Sequence, residues 1–247
     1  MCLVTVIIPY YKKKNYIKDT LISIIEQSHK NLEIIIINDA DHESHSYLEK
    51  LQNLDKRIIL LKNDNHSGVG FSRNRAIKIS SGEYLAFCDA DDLWNKFKIE
   101  SQIYFMKSAN SKFSYTSFYI IDAFNKIIGE RKASPYTKFN NLIKSCDIGL
   151  STVIIKKKLI DIYKIYFPNI KTKEDYIFWL ELAKQGVEMI GLDQKLSSWR
   201  KLDNSLSSSI LQKILDGYKV YRYYMKFNII KSIFYLLILS FNKLLKR

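Results

Sequence analysis

Through its first hundred residues the chain alternates between two hydrophobic rhythms. "LVTVIIP" (3–9) and "LEIIIIND" (32–39) are continuous β-branched apolar runs, whereas "YIKDTLISIIEQS" places Ile17, Leu21, Ile24 and Ile25 at helical spacing. Pro9 reads as the end of the first strand. The alternation continues with "SHSYLEKLQNL" as a helix, "RIILLKN" as a strand, "VGFSRNRAIKIS" as a helix entered through glycines, and "GEYLAFCDA" as a fourth strand. Strands that are apolar on both faces, separated by amphipathic helices, predict an α/β fold with a mainly parallel sheet covered on both sides. Ligands of such sheets bind beyond the carboxyl ends of the strands. Here those ends carry Pro9–Tyr11, Asn38–Asp41, Asn63–Gly70 and Asp89–Asp92.

Beyond about residue 100 the pattern loosens. "KFKIESQIYFMKS" reads as a helix, while "KFSYTSFYIID" and "KIIGE" read as an antiparallel pair. "STVIIKKKLIDIY" predicts a strand leading into a helix, and "TKEDYIFWLELAKQG" a helix stopped by Gly186. "VEMIGLD" and "KLSSWRK" are expected as two short strands.

Charge adds a second constraint. The formal net charge of +14 over 247 residues implies an anionic partner: nucleic acid, a phosphorylated small molecule, or an anionic bilayer face. The lysines are spread through the chain while the acids gather at the presumed ligand edge, which disfavours nucleic acid. Three scattered cysteines without a CxxC pair argue against a disulfide framework or structural zinc and favour a reducing compartment. The N-terminus reads as a first strand, not a signal peptide. From Leu206 to Arg247 eight basic residues face one acid, Asp216, an excess of +7. The uncharged run in this tail extends only from Ser232 to Asn242, short of the roughly 20 residues a spanning helix needs. Such a basic, apolar tail suits the plane of an anionic membrane, or else docks on the protein's own core.

Three constellations can carry chemistry. "HSGVGFSR" has Gly68 and Gly70 but Arg73 where a dinucleotide fingerprint needs a third glycine, and it does not follow the first strand. A glycine turn into a helix N-terminus can still cradle phosphate, with Arg73 and Arg75 nearby. "CDADD" puts Asp89, Asp91 and Asp92 at a strand mouth, where they raise one another's pKa unless a cation neutralises them. Taken alone this is a solvated turn; beside a phosphate-friendly turn it fits Mg²⁺ or Mn²⁺ held by carboxylates and substrate phosphates. "KEDYIFW" brings Glu174 and Asp175 into the first turn of a helix, where acids complement the macrodipole or serve as a general base. The four histidines receive no role.

In order and spacing, "VTVIIPYYKK", "EIIIINDAD", "NHSGVGFSRNRAIKISSGEYLAFCDADD" and "KEDYIFWLELAKQG" resemble the inverting GT-A glycosyltransferases of glycosyltransferase family 2, over roughly residues 3 to 207. The resemblance implies a bacterial transferase of cell-surface polysaccharide such as O-antigen or capsule. It implies a GT-A domain over 1–205, with a nucleotide-binding half (1–100) and an acceptor half (101–205), followed by a helical tail (206–247). Pro9, Tyr11 and Asp39 would line the base and ribose pocket of a UDP-sugar donor. Arg73, Asp89 and Arg200 would complete the donor site, Asp91 with Asp89 would hold Mn²⁺ or Mg²⁺, and Asp175, with Glu174 as the lesser candidate, would be the catalytic base. The acceptor implied is a glycan or a lipid-linked sugar, met at the inner face of the cytoplasmic membrane. Departures are Lys12 for the usual Asn, Asn38-Asp39-Ala40-Asp41 for Asp-Asp-Gly-Ser, and Leu202 for a His after Arg200. Both acidic pairs survive, so the departures point to a tuned donor pocket. The alternatives are a nucleotidyltransferase, which would release pyrophosphate, and a basic nucleic-acid-binding protein.

Overall fold

The structure, a computed structural model, describes residues 1–202 and 210–245. Among these residues the centre is a ten-stranded sheet with the path β3-β2-β1-β4-β9-β6-β10-β5, with β7 paired to β6 and β8 (Tyr136–Thr137) paired to β10. Strands β1 (Val4–Tyr10), β2 (Leu32–Asn38), β3 (Ile58–Lys62) and β4 (Tyr84–Phe87) are parallel neighbours, as the alternating pattern predicts. Strand β5 is the short Leu93–Trp94 pair, and β6 (Phe113–Ile121) and β7 (Ile127–Arg131) form the expected antiparallel pair. Strand β9 (Ile154–Lys156) inserts between β4 and β6 and runs antiparallel to both, so one sheet continues through both halves of the chain.

Each apolar strand feeds two cores because its alternate residues point to opposite faces. Val6, Ile8, Ile34 and Ile36 pack with Ile17, Leu21 and Ile24 of α1 (Lys14–Ile25) and Leu48 of α2 (His45–Gln52). Ile7, Ile35, Leu85 and Phe87 pack on the other face with Ala76 and Ile77 of α3 (Val69–Ile79) and Phe178 and Trp179 of α7 (Glu174–Lys184). The helix after β5, α4 (Lys98–Ser108), adds Ile99, Ile103 and Met106 to the first core. Gly186 follows α7 at φ 80°, the left-handed stop its sequence predicts.

Two expectations change. Pro9 does not end β1: it pairs with Ile37, and the strand continues to Tyr10. The Ile7 carbonyl accepts from Cys88 N–H at 3.1 Å, so Pro9, two residues on, faces the same side where β4 has already ended. Its missing N–H therefore costs no ladder bond. "VEMIGLD" and "KLSSWRK" are not separate strands but one, β10 (Met189–Arg200), which absorbs the polar stretch between them through register shifts at Leu192–Lys195 and Lys195–Ser197.

The tail is helical: α8 (Ile210–Lys219), a π-helical turn (Val220–Tyr224) and α9 (Ile229–Leu245). One face of α9 docks, with Ser232 and Leu239 buried and Tyr235 and Leu236 packed on the core of the α7 side. The "NSLSS" segment lies outside the described residues.

The turn after β2 holds Ala40 at φ 62°, clamped by Asn38 Nδ2 donating to the Asp41 carbonyl (2.9 Å) and Asp41 N–H donating to Asn38 Oδ1 (2.8 Å). A left-handed L-residue costs about 1–2 kcal/mol, more than the roughly 0.5–1 kcal/mol of extra chain entropy a glycine loses. Ala40→Gly is thus expected to stabilise the fold by about 0.5–1 kcal/mol in urea titrations; a lower midpoint would show that the turn does not impose this backbone.

Candidate active site

The polar edge assembles where the sheet predicts, at the carboxyl ends of β1, β2 and β4. Asp39 follows β2 and is buried under the turn that leads into α3. Its Oδ1 accepts from Asn63 Nδ2 (2.7 Å) and Ser67 N–H (2.9 Å), and its Oδ2 from Gly68 N–H (2.8 Å). His66 Nδ1 lies 2.9 Å from the same carboxylate, and its ring stacks on Tyr11 with centroids 4.1 Å apart. Two of the amides expected to receive phosphate, those of Ser67 and Gly68, thus hold Asp39 instead. Gly68 sits at φ 90°, and a Cβ at Gly70 would lie 2.7 Å from the Pro168 carbonyl, so the turn is pressed against the loop before α7. His66, which sequence reading set aside, belongs to this edge.

The three acids of "DADD" are held in three different ways. Asp89 is about one-third exposed and pairs through Oδ1 with Arg73 at 2.8 Å. Its other oxygen has no hydrogen-bond partner among the described residues. Asp91 is mostly buried, and its Oδ2 lies 2.6 Å from Lys13 Nζ at the start of α1. Burial pushes its pKa up, Lys13 opposes this, and Asp89 adds to it. Asp92 is buried: Oδ2 accepts from Ser151 Oγ (2.5 Å) and Oδ1 from Arg200 N–H (2.8 Å). Burial and the two neighbouring aspartates push its carboxyl well above the usual range. It supports the loop and caps no helix, since Leu93–Trp94 is a strand and α4 begins at Lys98.

The loop backbone is fixed as firmly. Asp89 N–H donates to Ser151 Oγ (3.0 Å), the Ala90 carbonyl accepts from Thr20 Oγ1 (3.1 Å), and the Asp91 carbonyl accepts from Arg200 Nε (2.8 Å). Arg200 is buried at the end of β10, and its Nη1 also donates to the Asp122 carbonyl (3.0 Å). Its guanidinium therefore positions the Asp91 loop from behind. Lys13 and Ser151 carry no local sequence signal and emerge only here.

The third constellation arrives from α7. Lys173, at φ 73°, turns the chain so that Glu174 and Asp175 occupy the first helical turn. Glu174 Oε1 accepts from Arg73 Nη1 at 2.7 Å, while the other arm of the same guanidinium holds Asp89. Burial pushes the Glu174 carboxyl up to about 7, against the opposing pull of Arg73. Asp175 accepts from Tyr176 N–H (2.7 Å) and is also pushed upward by burial, with Arg73 and Lys173 opposing. One guanidinium thus joins a strand-end carboxylate, Asp89, to a helix-start carboxylate, Glu174, which lies 101 residues from Arg73 in sequence. Pro9 and Tyr11 lie at the carboxyl end of β1, Pro9 buried and Tyr11 exposed.

This combination, a mainly parallel sheet with a strand-end Asp-x-Asp and a helix-start Glu-Asp at its polar edge, is the arrangement that the resemblance to GT-A glycosyltransferases implies. Residues 5–160 match Glycosyl transferase family 2, and the chain belongs to that family. Over 222 residues, 89% of this chain and 87% of the relative, it is 32% identical to the teichuronic acid biosynthesis glycosyltransferase TuaG of Bacillus subtilis (strain 168). It is 35% identical over 216 residues, 87% of this chain and 84% of the relative, to the UDP-Glc:alpha-D-GlcNAc-diphosphoundecaprenol beta-1,3-glucosyltransferase WfaP of Escherichia coli. Among solved structures, S. aureus TarS 1–349 in complex with UDP-GlcNAc superposes with a TM-score of 0.75 at 20% identity, covering 96% of this chain and 70% of that one. That likeness shows the fold.

Arg73 is 3% exposed in its side chain and holds two carboxylates, so Arg73→Ala leaves Glu174 uncompensated in a buried setting. Removing one partner of a buried ion pair costs about 3–5 kcal/mol. Urea unfolding of Arg73→Ala is expected to show a loss of that order with an unchanged m-value; a loss under 1 kcal/mol would mean the bridge does not organise the site.

Proposed function

We propose that the chain is a metal-dependent inverting glycosyltransferase that moves a sugar from a UDP-sugar to a hydroxyl of a lipid-linked glycan in surface-polysaccharide synthesis. The observation carrying this reading is the Arg73 bridge, which ties Asp89 after β4 to Glu174, the neighbour of Asp175, at the start of α7. The names of TuaG and WfaP support the polymer class and the lipid-linked acceptor by analogy. The inner face of the cytoplasmic membrane is where a soluble nucleotide donor meets such an acceptor. Residues 1–100 supply the donor edge and 101–205 most of the acceptor side, with the tail appended.

The donor set fits a hard divalent cation. Among the described residues no cluster of three or more His, Cys, Asp or Glu side chains could cage a metal alone. Two neighbouring carboxylates, Asp89 and Asp91, are what Mg²⁺ or Mn²⁺ takes when substrate phosphates complete its shell. Asp91 already holds the cationic Lys13 against it, so this carboxylate is placed for positive charge. When bound, the ion would neutralise charge on the departing nucleoside diphosphate. Tyr11, stacked on His66 over the buried Asp39, provides the aromatic wall for a base.

Asp175 is the general base that takes the acceptor hydroxyl's proton as that oxygen attacks the anomeric carbon opposite the leaving phosphate. Glu174, held by Arg73, fixes the helix start on which Asp175 rides. Arg200 acts on the diphosphate side by holding the Asp91 loop.

A positioned base contributes about 10²–10⁴-fold. Asp175→Asn is expected to lose turnover by that factor in a UDP-release assay while binding UDP as before; near-normal turnover would remove Asp175 from this role. Pyrophosphate in place of UDP would mark a nucleotidyltransferase. A base must be deprotonated, and burial raises the acids of this pair, so the rate falls as pH drops through a range above that of ordinary carboxylates. A kcat that stays flat from pH 8 to 4.5 would contradict this. In calorimetry with UDP and Mn²⁺, Asp91→Ala is expected to abolish the metal-dependent part of binding, whereas Lys13→Met, which removes the competing cation, tightens Mn²⁺ binding. Equal Mn²⁺ affinity in wild type and Lys13→Met would show that Lys13 does not compete with the metal.

A further inference from the structure

Helix α9 presents two opposite faces. Ser232, Tyr235, Leu236 and Leu239, at steps of three and four, turn inward, and Asn242 Nδ2 ties the far end to the Lys144 carbonyl at 2.9 Å. Ile230, Ile233, Phe234, Leu237 and Phe241, at the same helical steps, turn outward. Ile230 is 82% exposed and the other four are between 46% and 64% exposed. Five large apolar side chains in one stripe form a surface that soluble monomers do not expose without a partner.

The charges around the stripe identify that partner. Lys226 and Lys231 are exposed where α9 begins, and Lys231 Nζ sits 4.2 Å from the Phe227 ring centre. The segment's one acid, Asp216, is fully buried and accepts from Thr172 N–H (3.1 Å), Thr172 Oγ1 (2.9 Å) and Gln212 Nε2 (2.9 Å). No carboxylate of the segment's described residues therefore faces outward beside the lysines. A second copy docking here would set like charges against like, whereas an anionic bilayer offers acyl chains to the stripe and phosphates to the lysines. The helix cannot span: among the described residues no helix is long and apolar enough to cross a membrane, and its inner face is engaged with the core.

We propose that the outward stripe of α9, flanked by Lys226 and Lys231, is a docking surface for an anionic lipid bilayer, with α9 lying in the interface plane. The proposal builds on the lipid-linked acceptor of the preceding reading and names the face that meets the bilayer. The geometry also sets orientation: Asp216 of α8 holds Thr172, two residues before Glu174, and the Cβ position of Gly217 lies 2.8 Å from Leu236 of α9. The stripe and the helix start bearing Asp175 thus belong to one packed unit.

The test is co-sedimentation of the full chain with phosphatidylcholine vesicles, with and without 30% phosphatidylglycerol. Wild type is expected to bind the anionic vesicles at least 10-fold more tightly than the neutral ones. The Phe234→Ser/Leu237→Ser/Phe241→Ser variant, which leaves the inward face intact, is expected to lose at least 10-fold. Lys226→Glu/Lys231→Glu is the second variant, expected to lose affinity for anionic vesicles alone. Wild type failing to bind, or both variants binding as wild type, would overturn the proposal. So would a concentration-dependent dimer in gel filtration that the serine variant abolishes. UDP release with a water-soluble acceptor, unchanged in the serine variant, separates docking from chemistry. Vesicle binding in a chain that releases no UDP from any donor would sink the transferase reading and leave the surface standing.

Discussion

The site depends on a buried guanidinium. Arg73 projects from α3 between the end of β4 and the start of α7, with one arm on Asp89 and the other on Glu174. A charge removed from water is tolerable only when paired and hydrogen-bonded, and the planar fork of arginine presents separate N–H groups to two carboxylates in a fixed geometry. Burial leaves Glu174 dependent on this partner, and Glu174 in turn depends on α7 starting where Lys173 bends the chain. The neighbouring residue strengthens the joint. Asn74 Nδ2 donates to the Phe167 carbonyl (2.8 Å), and Asn74 Oδ1 accepts from Phe167 N–H (2.9 Å), with the Phe167 ring 5.2 Å from the Arg73 guanidinium. Sequence-distant halves are therefore locked at the point where donor and acceptor would meet.

Three acids in four positions look like one feature in the sequence, but the fold separates them by what reaches each. Asp92 points into the protein, where Ser151 and the Arg200 amide use it as a structural acceptor. Burial and the two neighbouring aspartates drive its pKa upward. Asp89 and Asp91 each have a cation beside them, Arg73 or Lys13. The two cations differ in setting: the Lys13 side chain is about one-quarter exposed, whereas that of Arg73 is enclosed.

The fold was legible wherever periodicity alone decided it. Continuous apolar strands such as "EIIII" must be covered on both faces, and the helices that cover them announce themselves at 3.6-residue spacing. What periodicity does not encode is direction and interruption. Nothing in "VIIK" says that β9 runs against its neighbours, and the polar Asp193-Gln194-Lys195 hides the continuity of β10 because bulges leave no pattern. The acids at the strand mouth were visible as a local anomaly. Their partners were not, since Lys13–Asp91, Ser151–Asp92 and Arg73–Glu174 join residues 59 or more positions apart. Each partner is an ordinary residue in its own neighbourhood, and only the folded contact gives it meaning.

Charge placement follows the same division between local composition and folded position. A chain with a net charge of +14 nevertheless keeps a carboxylate-rich edge, because the fold meets each acid there with a specific cation or donor instead of diffuse lysine charge. The tail reverses the arrangement: its one acid is buried and its exposed lysines stand beside apolar side chains. Buried Asp216 does more than vanish from the surface, since its bonds to Thr172 fix the backbone just before α7. Removing that carboxylate from solvent both clears the tail of opposing charge and stiffens the approach to Glu174 and Asp175. The same interaction therefore shapes the outer surface and ties the tail to the segment that precedes Glu174.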